Sequence, residues 1–124
     1  MYEVRVEVQF SAAHQIRLYD GKLEPIHRHD WRVEAVFRGP VLDRIGVLVD
    51  FEVAKNTLHE IVDRFAGTNI NHLPLLKGRN PTAENIAGCI FNELKQRLDG
   101  NLPLAAVHVR EAPGCAAGYM ESIG

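Results

Sequence analysis

Tyr2, Val4, Val6, Val8 and Phe10 alternate with Glu3, Arg5, Glu7 and Gln9. This period of two predicts a half-buried β-strand. The stretch "SAAHQIRLYDGKLEP" reads as a loop, with Asp20-Gly21 as a turn. Trp31, Val33, Ala35 and Phe37 then alternate with Arg32, Glu34, Val36 and Arg38, which gives a second strand ended by Gly39-Pro40. Apolar spacing next shifts to helical. Asp50 is placed to cap a helix over 51–66, with Phe51, Ala54, Leu58, Ile61, Val62 and Phe65 on one face and Gly67 as the stop. After the loop "NINHLPLLKGRNP", Thr82 caps a second helix to Leu98. Ile86, Ile90, Phe91, Leu94 and Leu98 face inward, and Asp99-Gly100 ends it. "LAAVHVRE" and "AGYMESI" read as two more strands separated by "APGC". The order ββααββ predicts an α+β fold: a four-stranded antiparallel sheet with two helices on one face. No repeat or linker interrupts it, so 1–124 is expected to be one domain. Long alternating strands on a small sheet leave edges open, which predicts closure through a homo-oligomer.

Composition narrows the function. A chain of 124 residues suits one modest core. A net charge of −2 offers no basic excess, which argues against nucleic acid as the main partner. No apolar run approaches the roughly 20 residues of a membrane span. The alternating N-terminus lacks the apolar core of a signal peptide. Cys89 and Cys115 are the only cysteines, too few for a disulfide framework. A cytoplasmic location is expected.

The chemistry gathers in "LEPIHRHDW", Leu23 to Trp31. His27 and His29 share the parity of the second strand, so both rings point to one side. An H-x-H pair is also what two strand histidines facing water look like. His14 changes the weighing. Antiparallel pairing of the first two strands brings the end of one beside the start of the other, so three imidazoles can converge. Three histidines with a fourth position open suit a zinc ion engaged in catalysis or ligand capture. His59 lies off the apolar helix face and reads as solvated. His108 alternates with Val107 and Val109 and reads as structural. His72, in the central loop, is either a functional group or a polar loop residue. Glu24 is either a surface charge or a proton carrier beside the metal. Glu111 is either a strand-end charge or a carboxylate that accepts paired hydrogen bonds from an amidine-like edge.

Together these residues resemble the 6-pyruvoyltetrahydropterin synthase and 6-carboxytetrahydropterin synthase family over nearly the whole chain. "FSAAH" and "HRH" resemble the zinc-ligand segments, with His14, His27 and His29 as ligands. "GVLVDF", "INHLPL", "NPTAEN" and "VRE" resemble further family segments in the same order. The resemblance implies the tunnelling fold (T-fold), with trimers that close their sheets into a barrel, often pair as hexamers, and hold active sites between subunits. It implies a lyase-type enzyme, a Zn2+ cofactor and a small-molecule pterin substrate such as 7,8-dihydroneopterin triphosphate. Glu111 would grip the pterin, helped by Thr82 and Glu84, and His72 would carry protons.

Three positions depart from the family pattern. Leu23 stands where many members carry a catalytic cysteine, while Glu24 stands where a variant group carries glutamate and cleaves the side chain to a 6-hydroxymethyl pterin. Asn71 replaces the aspartate beside His72; it can hold a hydrogen bond but cannot stabilise an imidazolium by charge. Arg28 replaces the glycine between the ligands and points away from them by parity. The leading expectation is a zinc-dependent pterin lyase with Glu24, His72 and Asn71 as its catalytic set. The alternative is a non-catalytic zinc and pterin binder. An unrelated H-x-H hydrolase is disfavoured, because Trp31-Arg32 supplies no further ligand and the chain is short.

Overall fold

The computed structural model describes residues 1–98, 100 and 102–121. Asp99 of the expected helix stop, and Ser122 and Ile123 of the expected last strand, lie outside the described residues. The order is β1 (Tyr2–His14), β2 (His27–Gly39), α1 (Phe51–Val62), α2 (Ala83–Arg97), β3 (Leu104–Ala112) and β4 (Cys115–Met120), with short 3-10 turns at Ile70–His72 and Pro74–Leu76. The four strands form one antiparallel sheet in the order β1-β2-β3-β4. Both helices pack on the face that carries Val6, Val8, Phe10, Trp31, Val33 and Val107, and one apolar core results. The expected architecture is therefore the observed one. No described helix is long and apolar enough to cross a membrane.

β1 runs four residues past Phe10, and the reason lies at its edge. Gly67 N–H donates to Ser11 O (2.7 Å) and Ala13 N–H to Thr68 O (3.0 Å). The chain at 67–69 thus covers that end of the strand, and Ala12 and Ala13 are both buried. Ala12 keeps the core-facing parity, and Ala13 on the opposite parity is buried as well, so polar alternation stops and the strand is silent in the sequence pattern. This extension puts His14 inside β1 rather than in a loop.

α1 begins as the sequence predicts, with the Asp50 carboxylate accepting from Glu52 N (2.9 Å) and Val53 N (3.5 Å). It ends earlier, at Val62, although Phe65 beyond it still fills the core. Phe51 departs from its expected inward position and is 65% exposed. Helical side chains lean back over the preceding turn; the first helical residue has none, so Phe51 hangs over a rim groove shared with Tyr2, Leu48 and Val49. Thr82 caps α2 by accepting from Asn85 N (3.1 Å). β4 starts at Cys115 rather than Ala117, so that exposed cysteine opens a strand instead of sitting in a loop. Cys89 is buried within α2, as its apolar neighbours suggest.

Candidate functional site

The β1–β2 register sets His14 directly opposite His27 and places His29 across from Ala12. Ring centroids lie 4.6 Å apart for His14–His27, 5.2 Å for His14–His29 and 4.5 Å for His27–His29. One nitrogen from each ring lies within 4.8 Å of the others. Trp31, two residues beyond His29 and of the same parity, forms the floor. Its ring meets His14 and His29 edge to face, and its Nε1 donates to Ala12 O (3.1 Å). The spacing H-x-H-x-W carries that contact in the sequence.

The hydrogen bonds of His14 fix how its ring is used. Its Nδ1 lies 2.9 Å from Pro81 O. A carbonyl only accepts, so Nδ1 carries the proton and Nε2 of the neutral ring is a lone pair. His14 is fully buried, and neither its Nε2 nor that of His29 has a hydrogen-bond partner among the described residues. Glu111 Oε1 comes within 2.7 Å of His14 Nε2 and 3.4 Å of His29 Nε2. These are close approaches outside hydrogen-bond geometry. A lone pair and a carboxylate oxygen this close repel unless positive charge lies between or beside them. Burial lowers the His29 imidazole from its ordinary value, against the pull of Glu111, which favours the neutral form a metal requires. This donor set fits a divalent metal ion of the zinc class.

Glu111 reaches the cluster through an irregularity. Arg110 pairs with Ala116 and Ala112 with Cys115, which leaves Glu111 as the extra residue of a β-bulge. Bulges re-aim side chains, and this one turns a carboxylate toward two histidines. Glu24 enters from the other side. Its Oε1 lies 2.7 Å from His27 Nε2 and accepts from Ile16 N (3.0 Å). The His27 hydrogen bond, with the Ile16 amide in support, holds the Glu24 carboxyl below the usual range in spite of desolvation. Two carboxylates therefore flank three imidazoles, Glu111 beside His14 and His29 and Glu24 beside His27.

The remaining expected residues are placed as follows. Asn71 does not turn to His72. Its Oδ1 accepts from Gln15 N (2.8 Å) and its Nδ2 donates to Gln15 O (2.8 Å), so both ends of the amide are engaged. The His72 ring is exposed and makes no hydrogen bond or ion pair among the described residues. The Thr82 hydroxyl is occupied in capping α2, and Glu84 is exposed in the first turn. Leu23 is 46% exposed and pairs with Arg17 in an isolated bridge. Arg28 is exposed, on the opposite parity to His27 and His29. His59 is exposed and His108 half-buried in β3.

The family model for 6-pyruvoyl tetrahydropterin synthase matches residues 3–122. The chain belongs to the 6-pyruvoyl tetrahydropterin synthase family. Within that family it is 31% identical over 126 residues to 6-carboxy-5,6,7,8-tetrahydropterin synthase of Synechocystis, with 96% of this chain and 93% of the relative covered. It is 28% identical over 102 residues to dihydroneopterin monophosphate aldolase of Pyrococcus furiosus, with 82% of each covered. The solved 6-pyruvoyl tetrahydropterin synthase of Caenorhabditis elegans superposes with a TM-score of 0.84 at 22% identity, over 98% of this chain and 96% of that one. The tetrahydropterin synthase fold is thus shared in full.

Proposed function

We propose that this protein is a zinc-dependent lyase that cleaves the side chain of a phosphorylated 7,8-dihydroneopterin, with Glu24 as its base. The observation that supports this most is the pair of carboxylates about the imidazole cluster, Glu24 at His27 and Glu111 at His14. The aldolase relative is a second support, since cleavage of a dihydroneopterin side chain needs a base but no thiol.

A zinc ion held by His14, His27 and His29 would act as a Lewis acid toward the side-chain hydroxyls and lower their pKa. Glu24, held as a carboxylate, takes the proton from the hydroxyl on the second side-chain carbon. The bond between the first and second carbons breaks, its electron pair moves into the ring's C=N system, and the outer fragment leaves as an aldehyde. Return of a proton to the first carbon gives the 6-hydroxymethyl product; Glu24 or His72 returns it. Glu111 accepts hydrogen bonds from the amino-pyrimidine edge and fixes the ring, with help from Thr82 and Glu84 at the start of α2. Asn71 serves as a positioning residue. The same reading assembles copies through the free edge of β1, Tyr2–Gln9, and the outer edge of β4.

The test is incubation of zinc-loaded protein with dihydroneopterin triphosphate and monophosphate, with products separated by chromatography. A 6-hydroxymethyl pterin that disappears with Glu24→Ala, while zinc and pterin still bind, is the expected result. Full turnover by Glu24→Ala refutes the base. A 6-carboxy or 6-pyruvoyl product refutes the cleavage, and binding without any product makes the protein a pterin binder.

A further inference from the structure

The segment after His14 is held in an unusual way. The amide and carbonyl of Gln15 and Arg17 bond to one set of partners and those of Ile16 to another, the alternation that a strand shows. On the first side there is no strand. Two asparagine side chains take its place. Asn71 exchanges two hydrogen bonds with Gln15, both of 2.8 Å. Asn80 does the same with Arg17: its Oδ1 accepts from Arg17 N (2.7 Å) and its Nδ2 donates to Arg17 O (3.0 Å). On the second side Ile16 meets only Glu24. Ile16 N–H donates to Glu24 Oε1 (3.0 Å), and Glu24 N–H donates to Ile16 O (2.9 Å). Gln15 Nε2 adds a bond to Glu24 O (3.2 Å).

We propose that Asn71 and Asn80 are positioning residues for Glu24, acting through the Gln15–Arg17 backbone as a two-rung substitute for a β-strand. The proposal rests on the reading of Glu24 as the base. A carboxamide is required at both rungs, because each must donate and accept at once. Aspartate would set a lone pair against the carbonyl of Gln15 or Arg17. This accounts for asparagine at position 71 in a chain whose base is Glu24: the residue holds the base's support rather than charging a histidine. Asn80 is itself held, since Asn85 Nδ2 donates to Asn80 O (2.9 Å) from the first turn of α2. The base is thereby tied to the segment that leads into α2, where Pro81 O also meets His14 Nδ1.

The test uses the zinc-loaded full chain as wild type, Asn80→Ala, the isosteric Asn80→Asp, Asn71→Asp and Glu24→Gln. Amide hydrogen exchange, read by NMR, reports the support directly. Exchange at Ile16 and Glu24 is expected to quicken about tenfold or more in the asparagine variants, while α2 and the β2–β3 ladder keep their protection. Unchanged exchange at Ile16 and Glu24, or loss of protection throughout, overturns the proposal. In turnover, kcat is expected to fall roughly 10–100-fold with KM and zinc affinity near wild type. Adding Asn80→Asp to Glu24→Gln should then change kcat less than about twofold, and full multiplicative loss in that background overturns the coupling. Wild-type kcat for Glu24→Gln would instead remove Glu24 as the base, leaving hydrogen exchange to decide the positioning.

Discussion

The two nitrogens of His14 have separable duties, and substitution can divide them. Nδ1 satisfies the buried carbonyl of Pro81 at 2.9 Å, while Nε2 faces the cluster. His14→Ala removes both. The carbonyl left unpaired costs about 1–3 kcal/mol, and the void against Trp31 costs roughly 2–3 kcal/mol more. The expected loss is about 3–6 kcal/mol, and at this chain length each kcal/mol lowers Tm by about 3–5 °C. His14→Asn can set an amide N–H near the position of Nδ1 but has nothing to replace Nε2. It should be about 1–2 kcal/mol more stable than His14→Ala. Both variants should lose zinc affinity by more than the roughly 10–100-fold typical of an outer-shell residue. Urea melts of the metal-free protein, followed by the single and fully buried Trp31, read the stability. Chelator competition reads the affinity. Equal midpoints for the two variants would refute the structural duty of Nδ1, and affinity within threefold of wild type in His14→Asn would refute the ligand.

Gly118→Ala would put a methyl 2.5 Å from His108 Nδ1 and 2.9 Å from its Cε1, because the ring rests on the glycine across the β3–β4 pair. We expect a loss of about 1–3 kcal/mol in chemical denaturation, recovered when His108→Ala is added; a penalty that survives the second change would contradict that contact. The two thiols should separate in reactivity. Burial pushes Cys89 up from the ordinary thiol value, with nearby Arg79 opposing it, whereas Cys115 is exposed. In Cys115→Ser, alkylation of Cys89 should be slower than for a free thiol near pH 8 and rise only at higher pH. The linkage has the matching sign: the unfolded thiol ionises first, so this contribution to stability is intact at neutral pH and declines as pH climbs past the unfolded value. Alkylation of folded Cys89 at the free-thiol rate would contradict this.

Much of the fold was legible because alternation and capping are local signals. Val4 to Phe10 and Trp31 to Phe37 announce strands facing a single core, and Asp50 and Thr82 announce where helices begin. β1 beyond Phe10 was not legible, because Ala12 and Ala13 are both apolar and buried, and the segment 67–69 that bonds to the strand edge there lies more than fifty positions away. Phe51 followed the helical period and still lies outside, since periodicity says nothing of where a helix overhangs its sheet. The three histidines could be joined from parity and pairing alone. The placement of Glu111 could not, as a bulge of one residue leaves no mark in "VREAPGC". Asn71 and Asn80 were harder still. Their contacts span 56 and 63 residues, and asparagine in a loop ordinarily signals a local turn.

The loop that carries Glu24 has two parts with different tolerances. Gln15 to Arg17 is pinned along both edges. Leu18 to Lys22 closes on itself, through Leu18 N–H to Lys22 O (2.8 Å), Gly21 N–H to Leu18 O (2.9 Å) and Lys22 N–H to Asp20 Oδ1 (2.9 Å). Tyr19 at its tip is fully exposed. Chain inserted at that tip would have no route by which to shift the backbone below it. Length and sequence there are free to diversify, so a lid or a grafted recognition segment can be built on this loop while the Glu24 carboxylate stays in register.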